Sequence, residues 1–133
     1  MALQYSTTLR NAQLDAIEST VGASAVLKIR SGGAPANVAA ADSGTVLATF
    51  SLPSDWMAAA SNGTKGKSGT WQDTSADASG TAGHFRLYAS DGTTCHVQGT
   101  VGTSGADMII DNTSINAGQS VTISAFDVSA ANA

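Results

Sequence analysis

A chain of 133 residues with a formal net charge of -4 and charged side chains at only 12% of its positions has room for one domain of ordinary size. Its charged share is half of the quarter or so that an average soluble domain carries, so a surface rich in Ser, Thr, Ala and Gly is expected to sit against other protein. The few Lys and Arg are scattered except for Lys65 and Lys67, which argues against a nucleic-acid partner; Cys95 alone makes no internal disulfide, and no apolar run approaches the roughly 20 residues that span a bilayer.

The start, Met1 to Thr8, lacks the basic and apolar regions of a secretion signal, so synthesis in a cytoplasm is expected. Ser6 to Val21 is rich in helix formers, with Ser6 or Thr7 as N-cap and Gly22 as the stop. Leu14, Ile17 and Val21 form one apolar stripe; Leu9, Ala12 and Ala16 form a second, smaller side. Either both sides pack on the same sheet, or Leu9 and Arg10 reach another subunit. Local pairing of Asp15 and Glu18 with Arg10 is poor, so packing must hold this helix.

Beyond Gly22 the period changes to two. Ala25, Leu27 and Ile29 alternate with Val26, Lys28 and Arg30 as a first strand. Ser31 to Ser43 reads as a loop or edge connection, and Val46 to Leu52 as a second strand ended by Pro53. Asn62 and Gly63 mark a turn before a strand over Thr64 to Asp73 that Trp71 anchors. The sequons at Asn62 and Asn112 are read as turn chemistry.

From Gly83 to Val101 two alternating segments flank Ser90, Asp91 and Gly92. A three-residue loop with Gly92 left-handed pairs Leu87 with Cys95, Phe85 with Val97 and Arg86 with His96, which sorts the two faces. Strands at Ala106 to Ile110 and Ser120 to Val128 follow, with a turn around Asn116, Ala117 and Gly118 and a bulge near Ala125, where the apolar phase changes. The expected architecture is mainly β: an antiparallel β-sandwich of jelly-roll or immunoglobulin-like kind with one N-terminal helix. It forms a single domain, with arm and helix at 1–22, sandwich at 23–128 and a mobile tail at 129–133.

No catalytic constellation stands out, and no enzyme is expected. Glu18 is the only Glu, and Asp73 and Asp77 read as turn residues rather than an acid pair. Gly102, Thr103, Ser104 and Gly105 have the wrong spacing for a nucleophile elbow. His84 and His96 are placed as diagonal neighbours beside Arg86 and Gln98, short of the three or four ligands of a stable metal site; neither metal nor cofactor is expected. Cys95 is expected beside Leu87 as a small buried side chain. Trp56, Met57, Trp71 and Tyr5 are the groups best able to anchor a partner. Trp71 reads as core, whereas Trp56 reads equally as core or contact.

Tyr5 to Ile17 (YSTTLRNAQLDAI), Gly33 to Asn37 (GAPAN) and Gly99 to Asp107 (GTVGTSGAD) resemble a family of small virion proteins encoded by tailed bacteriophages. Within it the chain is most similar to the capsid cement, or decoration, proteins of short-tailed phages of the Bordetella type. The resemblance implies a jelly-roll fold, association as homodimers, and attachment to the exterior of a shell made of the major capsid protein. The expected partner interface is Tyr5, Leu9 and Arg10 at the helix start, with Trp56 and Met57 as a second patch. The rival expectations are a tail or baseplate component that binds a receptor or glycan, and a cell-wall hydrolase.

Overall fold

Ser6 decides where the helix begins. In the computed structural model, which describes residues 3–130, its Oγ accepts the Leu9 N–H at 3.1 Å and caps α1 (Thr7–Val21). Gly22, at φ 92°, ends the helix and donates its N–H to the Glu18 carbonyl. Leu14 and Val21 are buried and Ile17 half-buried, as the stripe requires. Leu9, Ala12 and Ala16 are exposed, so the second apolar side does not pack on the sheet.

The period-two segments become β1 (Val26–Ser31), β2 (Val46–Ser51), β3 (Thr64–Gly66), β4 (Trp71–Asp73), β5 (Gly80–Tyr88), β6 (Cys95–Gly102), β7 (Met108–Ile110), β8 (Ser114–Ile115) and β9 (Val121–Ser129). The stretch read as one strand over Thr64 to Asp73 is thus two, β3 and β4, both laid along β9. The pairing order is β2-β1-β5-β6-β7-β9-β3, with β4 also on β9 and β8 on β5. The protein is mainly β with one N-terminal helix, as expected, but its strands form one connected, curled, open sheet. The jelly-roll arrangement is not confirmed, and the sheet is not wholly antiparallel, because β6 and β7 run parallel.

The curl nearly closes. At the end of β4, Asp73 Oδ2 accepts the Thr49 N–H at 3.0 Å, and beyond it the Asp77 N–H reaches the Leu47 carbonyl at 2.8 Å. This covers the outer edge of β2. Inside, Ala25, Leu27 and Ile29 are wholly buried, as their alternation predicts. A chain of rings crosses the core: Trp56 to Trp71 at 6.0 Å, Trp71 to Phe126 at 5.8 Å, and Phe126 edge-on to Phe85 at 5.4 Å. The buried indoles keep hydrogen bonds, Trp56 Nε1 to the Gly22 carbonyl and Trp71 Nε1 to that of Ser68.

The β5–β6 hairpin departs from its expected register by two residues: Leu87 faces Val97, Arg86 faces Gln98 and Phe85 faces Gly99. A shift of two keeps Phe85, Arg86, Leu87, Val97 and Gln98 on their expected faces, so patterning alone could not detect it; only before Val97, where His96 is an extra residue, does Cys95 change sides to face Tyr88. The tip decides. Asp91 Oδ1 accepts both the Thr93 and Thr94 N–H groups at 2.9 Å, and the Ala89 N–H bonds the Thr94 carbonyl, which makes the loop longer than three residues. Gly92, at φ 71°, is left-handed as expected.

In β9, Ile109 faces Ala125 while Ile110 faces Ile123, so Ser124 is the bulge that changes the strand's phase. The tail begins later than expected. Ser129 pairs with Thr64 and the Ala130 N–H bonds the Gly63 carbonyl; positions 131–133 lie outside the described residues.

Candidate functional site

Four large apolar side chains are markedly exposed among the described residues: Leu3 at 69%, Leu9 at 46%, Val38 at 39% and Tyr5 at 38%. Three of them fall in the arm and first turn of α1, so Tyr5 and Leu9 stand where a partner interface would need them. Arg10 does not reach outward in the expected way. Its Nε donates to the Ala130 carbonyl at 2.7 Å, and its guanidinium lies so close to Gly63 that a Cβ there would collide with Nη2. Asn11 Oδ1 also accepts the Gly63 N–H at 2.9 Å. Arg10 and Asn11 therefore clamp α1 to the β3–β9 end of the sheet.

The second expected patch is overturned. Trp56 is 0% and Met57 1% exposed; both are core, because the segment after Pro53 folds under α1 instead of running over the surface. The Met57 N–H is taken by Glu18 Oε2 at 2.9 Å, and the Met57 bridge to Lys67 ties the segment to the end of β3.

Lys65 is the residue that sequence reading missed here. On β3 it is almost wholly buried, with Nζ 2.8 Å from Asp15 Oδ1, 2.9 Å from the Ala58 carbonyl and 3.4 Å from Glu18 Oε1. Burial works against its charge, but the hydrogen bond and charge of Asp15, followed by those of Glu18, hold its pKa above the ordinary lysine value. The Lys65 hydrogen bond, with the Ala60 N–H, holds Asp15 below the usual carboxylate range. The acids of α1 thus find their cation some 50 positions along the chain, which no helix-local pairing rule can detect. An open depression of about 500 Å³ lies at this junction, with Asp15, Glu18 and Asp55 among its lining. The first two carboxylates are already engaged by the chain itself.

The outward face of β1 and β5 carries a second buried polar group under the loop of residues 32–45. Asp42 accepts from Arg30 Nη2 at 2.9 Å, from Arg86 Nη1 and from the Tyr88 hydroxyl at 2.7 Å. Arg86 also donates to the Ala40 carbonyl at 3.1 Å and the Val38 carbonyl at 2.8 Å, so one guanidinium fork pins the loop. Partial burial raises the Asp42 pKa, but the bonds from Tyr88 and Arg86 and the two guanidinium charges bring it below the ordinary value.

His84 is wholly buried and donates from Nδ1 to the Gly32 carbonyl at 2.8 Å. It faces Thr100, whereas His96 is bulged out between Val97 and Cys95 and exposed. The two histidines are therefore not the diagonal neighbours expected, for the same two-residue register reason. Cys95 is half-buried opposite Tyr88, not beside Leu87. Among the described residues no three His, Cys, Asp or Glu side chains converge. Asp73 and Asp77 act as turn and strand-edge ligands: Asp73 Oδ1 accepts the Ser75 N–H, and Asp77 Oδ2 the Thr49 hydroxyl at 2.7 Å.

Comparison of the chain with protein families, with curated proteins and with solved structures returns no match.

Proposed function

We propose that this protein is a virion structural protein that binds the outer surface of a phage capsid and cements neighbouring copies of the major capsid protein. The observation that carries the reading is the exposure of the apolar side chains Leu3 and Tyr5 in the arm and of Leu9 in the first turn of α1, a helix that the Arg10 and Asn11 contacts clamp to the sheet. Such side chains on a surface with so few charges fit a protein contact made by apolar packing and hydroxyl or backbone hydrogen bonds. The resemblance of the Tyr5 to Ile17 segment to tailed-phage virion proteins supports the same reading.

Cementing requires no chemistry, only added area at junctions that resist the outward push of packaged DNA. A single interface of ordinary size buries roughly 1,600 Å². Copies that bridge two subunits, or that associate as homodimers, gain avidity because the second contact forms at high effective concentration.

The test is sedimentation of the purified protein with DNA-filled heads and, separately, with isolated tails, counting bound copies per particle. Saturable binding to heads at hundreds of copies is the expected result. Binding to tails alone, at a few copies, would move the function to tail assembly or receptor recognition.

A further inference from the structure

The curled sheet has a gap. β7 bonds β6 at Val101 and Gly102 only, and its pairing with β9 stops at Phe126. Beyond that point β6 and β9 continue with no strand between them among the described residues, although β7 has set them two strand spacings apart, about 9.5 Å. The gap is therefore one strand wide. It forms a groove of about 310 Å³, floored by Phe85, Val97, Phe126 and Val128.

Both walls present main-chain hydrogen-bonding groups to it. On β9, Phe126 and Ala130 turn theirs toward β3, since the Phe126 carbonyl accepts the Lys67 N–H and the Ala130 N–H reaches Gly63, each at 3.0 Å. By the strand's alternation Asp127 and Ser129 turn theirs to the groove. On β6, the Thr100 N–H points away from β5 and bonds Asp107 Oδ2 at 2.9 Å. Gln98, two residues back, turns the same way. The rim carries the exposed carboxylates Asp107 and Asp127, and no Lys, Arg or His is among the described residues lining the groove.

We infer that this groove is a docking site for one extended peptide segment of a partner protein, in which apolar side chains alternate with basic ones. The backbone of such a segment would bridge β6 and β9 in the line of β7 by strand addition. Its apolar side chains would reach the aromatic floor and, by the period of two, its basic side chains would rise to Asp107 and Asp127. The occupant is specified by charge complementarity at the rim and by strand geometry below it. This inference does not rest on attachment to a capsid, and its test can succeed where head binding fails.

The test uses the full chain and a blocked heptapeptide of alternating valine and lysine between terminal threonines, followed by amide exchange. The expected result is saturable binding that slows exchange at Gln98, Asp127 and Ser129 at least tenfold. Asp127→Lys, or glutamate for lysine in the peptide, should weaken binding at least tenfold, and N-methylation of the central peptide amides should abolish it. Unchanged exchange at these three amides in millimolar peptide would overturn the proposal, as would equal binding of the N-methylated peptide. Protection of the same amides without peptide, rising with protein concentration, would overturn it in favour of a second copy in the groove.

Discussion

Asp42 neutralises two guanidiniums at once, so its charge can be removed with little change of shape by Asp42→Asn. Arg30 and Arg86 are 7% and 1% exposed, and both lose their counter-charge, while the Arg86 bonds to the Ala40 and Val38 carbonyls survive. Leaving a buried charge without its partner costs about 3–5 kcal/mol. The Asp42 side chain is 39% exposed, and solvent screening brings the expected cost to about 2–3 kcal/mol. That is a large share of the roughly 5–15 kcal/mol that holds a domain together. With a urea slope of about 1.5 kcal/mol per molar, the unfolding midpoint falls by roughly 1.3–2 M at constant slope.

The pH dependence carries the same information with a definite sign. The Asp42 pKa is depressed in the folded protein, so its stabilisation is complete above the unfolded value of about 3.9 and disappears as pH falls through the folded value. Urea unfolding of wild type and variant at a series of pH values should show the full gap at neutral pH, closing only below about pH 4. A gap under about 0.5 kcal/mol at neutral pH, the range of ordinary surface substitutions, would refute the reasoning. So would a full gap persisting well below pH 4, which would show that the loss is one of shape and not of charge.

Leu9→Asp places a carboxylate in the first turn of α1, where the helix dipole favours it. Stability should change by less than about 0.5 kcal/mol while head binding is lost; a collapse of the thermal midpoint would show Leu9 to be structural. Trp56→Ala should cost about 3–5 kcal/mol by opening the core beside Trp71, seen in urea unfolding, and a near-neutral result would contradict the burial of Trp56. Retention on heads should vary little between 0.1 M and about 1 M NaCl, since screening weakens exposed charge pairs and spares apolar contacts. A steep loss with salt would mean that the few surface charges carry the attachment.

Much of the local structure was legible because it depends on near neighbours. The Ser6 cap, the Gly22 stop, the alternation of Ala25, Leu27 and Ile29, the left-handed Gly92 and the phase change in β9 all follow from residues within a turn or two of one another. Of the expected interface, Tyr5 and Leu9 are exposed as a contact would require, whereas Arg10 proves to be a clamp and Trp56 and Met57 prove to be core. A large apolar side chain carries the same sequence signal in a core as in a contact. Only the path of the chain around it separates the two.

What the sequence by itself determined is therefore the mainly β class, the single N-terminal helix and which side chains share a face, since propensity and period are properties of short segments. The tertiary structure alone decided the hairpin register, the joining of the strands into one curled sheet, the burial of Lys65 and Arg86 against distant carboxylates, and the gap between β6 and β9. Each depends on contacts between residues far apart in the chain. A two-residue register shift, or a cation 50 positions from its anion, leaves the local pattern unchanged and alters only which distant partners meet.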